Sequence, residues 1–235
     1  MPPICDRRGV DPRGKFWTSH GFARKLGAMA TVLTFGDSNT HGTPPLYQRG
    51  VYERYPADIR WPSRAAATLG WSLVEEGLPG RTAQFDDPVM GGIMNGWPAL
   101  YQALRSHGPI DALTIMLGTN DVKTRFGATP EQITGGIAAL LDLALGDEMQ
   151  TRHGGFRVLL IAPPPVTESG ILAADFWGGA AKSRALTPLL ADLARSRDTL
   201  FLDASAHIET SPLDGVHLSP ESHATLAQAV AHALF

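Results

Sequence analysis

Ser38 stands in Gly36-Asp37-Ser38-Asn39-Thr40, directly after an apolar run, where a hydroxyl has two readings. As a nucleophile it needs a base to take its proton, a tight turn to make it protrude, and N–H groups nearby for the oxyanion its attack creates. Gly36 supplies the turn, and a helix starting here would aim its unsatisfied N–H groups at the same spot. As a structural device, Asp-Ser-Asn-Thr simply caps that helix. The base would be a histidine oriented by an acid. Asp214 and His217 lie three apart, a spacing that lets the carboxylate accept from one ring nitrogen while the other faces a serine. Asp214-Gly215 also reads as an ordinary surface turn. Of the eight histidines, His20 falls in the N-terminal segment, and His107, His153, His223 and His232 have no acid at matching spacing. His207 is ambiguous, and His41, three residues after Ser38, is a candidate to line the pocket.

An oxyanion needs donors from more than one direction, and removing one typically costs roughly 2.7–4 kcal/mol of barrier lowering. Gly80 has no side chain to obstruct a close backbone N–H. Asn120, in Gly118-Thr119-Asn120-Asp121, offers an uncharged amide, although that block also reads as a plain strand-end turn. The four blocks together, in this order, are far more specific than any one of them.

Such groups must be brought together by the fold. Apolar runs recur at Thr31–Phe35, Trp71–Val74, Ile110–Leu117, Phe156–Ala162 and Thr199–Leu202. They are near-continuous rather than alternating, as suits parallel strands covered on both faces. Helical spacing fills the intervals: Trp61, Ala65, Ala66 and Leu69; Ile133, Ile137, Leu140, Leu141 and Ala144; Leu186, Leu189, Leu190 and Leu193; and Leu226, Val230 and Leu234 behind Ser219-Pro220-Glu221. Alternation of strand and helix predicts an α/β fold with a central parallel sheet of about five strands. Ligand sites of such sheets lie beyond the carboxyl ends of the strands, and the chemically capable blocks follow the apolar runs.

Composition narrows the classes. Over 235 residues, 43% are hydrophobic and 18% charged, which excludes disordered, collagen-like and coiled-coil chains. A single cysteine, Cys5, excludes an intramolecular disulfide and a Cys-based metal site. A net charge of -3 gives no footprint for nucleic acid or an anionic membrane, and no apolar run reaches the roughly 18 residues of a spanning helix. Residues 1–28 hold Arg7, Arg8, Arg13, Lys15, Arg24 and Lys25 against Asp6 and Asp11, without periodicity. Charges interrupt the interval where an export signal needs an apolar stretch, so this segment is expected to be a loosely ordered extension before a domain at 29–235, in a cytoplasmic protein.

Gly36-Asp37-Ser38, Gly80, Gly118-Thr119-Asn120-Asp121 and Asp214-Gly215-Val216-His217 resemble the four blocks of the SGNH (GDSL-type) hydrolase family over residues 30–235. Glu75-Glu76-Gly77-Leu78, Arg81-Thr82, Asp86-Asp87, Asn95-Gly96, Ile115–Asp121 and Ala162-Pro163-Pro164-Pro165 look like its bacterial arylesterase and acyltransferase branch. The resemblance implies a three-layer, flavodoxin-like SGNH fold. It implies Ser38 as nucleophile, His217 as base and Asp214 as its orienting acid. The Ser38 and Gly80 amides and the Asn120 side chain would form the oxyanion hole. No metal or organic cofactor is implied. The reaction would be hydrolysis of short-chain carboxylic esters through an acyl-enzyme, with alcoholysis or perhydrolysis alongside. Asn39 stands where the family usually has leucine, and His41 and Thr43 occupy a stretch where close relatives are expected to carry aromatics.

Partners are then a small-molecule ester and a water or alcohol acceptor, and the resemblance adds a homo-oligomer whose loops narrow neighbouring sites. Arg81, Phe85, Trp97, Phe126, Phe176 and Trp177, with His41, are candidates for the pocket rim. The stretch 82–97 is long and irregular, as functional or assembly loops are. Two alternatives stand beside this reading. One is an acetyl esterase acting on acetylated saccharides. The other is a non-catalytic binding or signalling module with Asp37 as phosphoacceptor, which leaves Asn120 and the Asp214/His217 pair without purpose. Nucleotide fingerprints and a G-x-S-x-G elbow are missing from the sequence.

Overall fold

The near-continuous apolar runs become strands, and the three central ones are buried on both faces. In the computed structural model, which describes residues 29–235, β1 (Thr31–Gly36), β2 (Ser72–Gly77), β3 (Ala112–Met116), β4 (Arg157–Ala162) and β5 (Leu200–Asp203) form one sheet. Its order is β2-β1-β3-β4-β5, with every neighbouring pair parallel. The extension expected at 1–28 lies outside the described residues. The 2-1-3-4-5 order is the flavodoxin-like arrangement, whose chain direction switches between β1 and β3 and opens a crevice at their carboxyl ends. Ser38 follows β1 and Asn120 follows β3, so the order of the strands puts both at that crevice.

Side chains leave each strand alternately to two layers. Leu33, Phe35, Leu113, Ile115, Val158 and Leu160 pack on α3 (Gly96–Ser106), α4 (Pro130–Leu145) and α6 (Gly179–Ser196). Val32, Ala112, Met116, Leu159 and Ile161 pack on α2 (Trp61–Leu69) and α7 (Pro220–Leu234). The helical spacing reads directly into burial: Ile133, Ile137, Leu140, Leu141 and Ala144 of α4 are all inside. That helix starts at a capping box, Gln132 N–H donating to Thr129 Oγ1 and Thr129 N–H to Gln132 Oε1, with Pro130 in its first turn. At α7 Ser219 caps one way only, accepting from Ser222 N–H, with Pro220 in the first turn.

Three features differ from the sequence reading. β2 runs on through Glu75, Glu76 and Gly77 rather than ending at Val74. As the edge strand it tolerates charge: Glu75 pairs with Arg60 and Arg54, and Glu76 lies 2.9 Å from His107. Gly96–Ser106 is helical, capped by the Asn95 side chain, so only the first part of 82–97 is irregular. A short α5 (Asp147–His153) follows α4. The helix expected to start at the serine is present as α1 (Ser38–His41), four residues long.

Candidate active site

The local sequence around Ser38 dictates a sharp exit from the sheet. A methyl group on Gly36 would stand 2.1 Å from Thr40 Oγ1 and 2.9 Å from the Met116 carbonyl, so only glycine lets the chain fold back at this point. Asp37 caps α1 by accepting from Asn39 N–H at 2.9 Å, and Gly42 ends the helix in the left-handed region. The capping role read from the sequence is therefore present, and it belongs to Asp37, which leaves the serine hydroxyl free. Asn39 Nδ2 donates to the Val216 carbonyl at 3.1 Å, tying α1 to the segment that carries His217.

That hydroxyl faces the histidine. His217 Nε2 lies 3.0 Å from Ser38 Oγ, and its Nδ1 lies 2.6 Å from Asp214 Oδ2. Asp214 is fully buried and collects N–H donors: Val216 and His217 on Oδ1, each at 3.0 Å, and Leu46 on Oδ2 at 2.7 Å. Burial alone would raise its pKa, but the bond and charge of His217 and these backbone donors outweigh burial and hold the carboxyl below its ordinary value. An ionised Asp214 fixes the ring proton on Nδ1 and leaves Nε2 to accept from the serine.

The other side of Ser38 is built from backbone. Gly80 has φ of +93°, a conformation that favours glycine. Among the described residues, neither its N–H nor that of Ser38 donates to a backbone acceptor. Asn120 Nδ2 donates to the Arg81 carbonyl at 3.0 Å and lies 3.4 Å from Asp37 Oδ2. Behind them Asp121 takes the Ala83 N–H on both oxygens, at 2.9 and 3.1 Å. Burial pushes the Asp121 carboxyl up to about 7 and raises Asp37 as well. Lys123 holds its Nζ 5.5 Å from the Phe176 ring centroid, and burial lowers that amine to about 8.

The structure thus gathers Ser38, Asp214, His217, Gly80 and Asn120 at one edge, while the expected rim residues scatter. Arg81 is a correction: its guanidinium points inward onto the Gly36 and Glu76 carbonyls and over the Phe35 ring, away from any rim. Phe176 is a second, because it belongs to the core. Phe85 stacks on Phe126 with centroids 5.3 Å apart, and Trp97 stacks on Tyr101 at 5.7 Å. Trp177 is 73% exposed. His41 closes α1, its backbone against Gly77 of the edge strand. Two groups escaped the sequence reading. Met90 covers Gly80, since a methyl group there would meet its Cε at 2.7 Å and its Sδ at 2.8 Å. The Leu46 amide supports Asp214, and a backbone donor leaves no mark in residue type. Asp87, buried and bonded to the Val89 and Met90 amides and to Arg125, was a findable signal for the turn that carries Met90.

A hydrogen-bonded serine, histidine and aspartate at the carboxyl edge of a parallel α/β sheet is the arrangement of a serine hydrolase. The chain belongs to the GDSL-like lipase/acylhydrolase family, whose model matches residues 34–225, and its reaction class is carboxylic ester hydrolysis. It is similar to a carbohydrate acetylesterase from Sinorhizobium meliloti, with 38% identity, 88% of this chain and 100% of that one covered, and a TM-score of 0.82. The aryl esterase of M. smegmatis matches at 33% identity with the same coverage and a TM-score of 0.82. A carbohydrate acetylesterase family member from Sinorhizobium meliloti matches at 34% identity, covering 87% of this chain and 96% of that one, with a TM-score of 0.78. No curated protein sequence matches the chain. Among the described residues no helix is long and apolar enough to cross a membrane, and no group of three or more His, Cys, Asp or Glu could hold a metal ion.

Proposed function

We propose that this esterase cleaves short-chain carboxylic esters through an acyl-enzyme on Ser38. The observation that carries the reading is the His217 imidazole bridging Ser38 Oγ at 3.0 Å and Asp214 Oδ2 at 2.6 Å. Ser38 Oγ attacks the acyl carbon as its proton passes to His217 Nε2. The imidazolium that forms is stabilised by Asp214, and the Ser38 and Gly80 N–H groups with Asn120 Nδ2 receive the oxyanion. His217 returns its proton to the departing alkoxide, which leaves an ester on Ser38. Water, deprotonated by the same nitrogen, then releases the acid, and an alcohol in its place makes a new ester. Hydrolysis of p-nitrophenyl acetate, with Ser38→Ala as blank and mass spectrometry of an organophosphonate adduct on Ser38, tests this. Full turnover by a folded Ser38→Ala variant would overturn it.

The 38% identity to a carbohydrate acetylesterase supports a second reading, deacetylation of saccharides. Rates on acetylated sugars against phenyl acetate separate the two. For assembly, Val89, Ile93 and Trp97, close in sequence, are exposed at 75%, 70% and 43%, and a homo-oligomer would cover such apolar side chains. Light scattering that finds a monomer at micromolar concentration removes that proposal.

A further inference from the structure

A buried cation without a carboxylate stands behind the oxyanion donors. Arg81 is 5% exposed, and among the described residues no acidic group lies within 4.0 Å of its guanidinium. In place of an acid, Nη1 donates to the Gly36 carbonyl at 3.1 Å and to the Glu76 carbonyl, and the guanidinium carbon lies 4.2 Å from the Phe35 ring centroid. Its Nε has no hydrogen-bond partner among the described residues. Leaving a charge so poorly compensated costs stability, and a structural plug of the same volume would be apolar. The placement answers what the cost secures.

Each bond of Arg81 ends beside an oxyanion donor. The Gly36 carbonyl is two residues before Ser38. The Glu76 carbonyl is near the end of the strand that leads into Gly80, and Gly80 directly precedes Arg81. The Arg81 carbonyl accepts from Asn120 Nδ2 at 3.0 Å, the shorter of that amide's two bonds, and so orients it, while its other contact, Asp37 Oδ2, lies at 3.4 Å. The Arg81 N–H donates to the Leu78 carbonyl at 3.0 Å, closing the turn that holds Gly80 at φ of +93°. One residue thus sets the separation of three donors that come from three different strands.

We infer that Arg81 is the positioning residue of the oxyanion hole, fixing the Ser38, Gly80 and Asn120 donors relative to one another through the Gly36 and Glu76 carbonyls and its own. Displaced donors weaken the hold on the transition state more than on the ground state, because only the transition state carries the full oxyanion charge. The effect belongs in kcat and in affinity for tetrahedral analogues, and little of it in KM. Burial lowers the guanidinium to about 10, so it stays protonated at neutral pH and its charge also acts in the direction that favours the oxyanion.

The inference rests on the esterase reading, and one experiment separates the two. Wild type, Arg81→Met and Arg81→Lys are compared for kcat and KM on p-nitrophenyl acetate. Thermal melts and inhibition by a phenylboronic acid, whose tetrahedral adduct on Ser38 puts an oxygen in the hole, complete the set. An inactive wild type sinks both readings. With an active wild type, Arg81→Met is expected to lose roughly 10- to 100-fold in kcat, with KM within about threefold and the boronate inhibition constant rising in step. Arg81→Lys should recover part of both, since an ammonium can reach one of the two carbonyls. Variants that melt lower yet keep wild-type kcat and boronate affinity would make Arg81 a structural residue only and overturn the inference. Should Arg81→Met fail to fold, Arg81→Lys decides alone on the same two readouts.

Discussion

Ser38 is held in different ways on its two sides. Toward His217 the links are side chain to side chain, 3.0 Å and then 2.6 Å, and end on a carboxylate that three backbone amides keep in place. Toward Gly80 and Asn120 the groups that face the crevice are neutral donors, while the Arg81 guanidinium and the buried carboxyls of Asp37 and Asp121 stand behind them. In the proposed reaction the first side moves a proton, so each member needs one particular chemistry. The second is a shape that many residues can support, provided the backbone is held. Loss on the first side should be close to total and shared among its members, whereas loss on the second should be graded.

The largest effect tests the first half of that contrast. Ser38→Ala should lower kcat by roughly 10⁴-fold or more, and His217→Ala by a similar amount, with the double variant no worse than either. Multiplying losses would break the idea of a single unit. Asp214→Asn should cost about 10⁴-fold, because an amide can no longer hold the ring proton on Nδ1. Asn120→Ala should cost about 10²–10³-fold in kcat with KM little changed. An Asn120→Ala loss as deep as that of His217→Ala would erase the distinction between the two sides. Smaller still, Met90→Ala should open the space over Gly80. A shift of less than about tenfold in kcat/KM, favouring bulkier acyl groups over acetate, is expected from a panel of p-nitrophenyl esters.

The same division explains what could be read from the sequence. The proton-moving side was legible because Ser, His and Asp carry their chemistry in their types, and Asp214 and His217 sit three apart. Strand positions and the order of layers were legible because buried parallel strands are nearly continuous apolar runs. Glu75 and Glu76 hid the end of β2, since an edge strand pairs its charges outside the core. Gly96–Ser106 escaped because its start is capped by Asn95 within a glycine-rich stretch that reads as loop. The support of the oxyanion side was illegible for a deeper reason: Gly36, Glu76 and Ala83 act through amides and carbonyls, which every residue has. Arg81 reads from the sequence only as a pocket candidate in the Arg81-Thr82 motif, and the fold alone turns its guanidinium inward.

His223 gives the smallest effect and the cleanest control on His217, the proposed base six residues before it. Both rings are buried, but His223 meets no acid. Its Nδ1 accepts from Trp61 N–H at 3.2 Å, its ring stands edge-on to Tyr55 with centroids 5.4 Å apart, and among the described residues its Nε2 has no partner. Burial first, then the positive charges of Arg60 and His217, lower its pKa to about 4. The folded protein therefore keeps this ring neutral, while the unfolded chain takes up a proton below about 6.5. A depressed folded value means stability that is complete above 6.5 and lost as pH falls toward 4, worth about 3 kcal/mol in all. Urea melts near neutral pH and at about pH 4.5 should show wild type losing about 2–3 kcal/mol more than His223→Gln over that interval. Activity of the variant near neutral pH should stay within a few-fold of wild type, since the ring touches neither Ser38 nor Asp214. Equal losses in the two proteins would show that His223 is not the group that couples folding to pH. A large fall in kcat at neutral pH would instead extend the proton-moving side into α7.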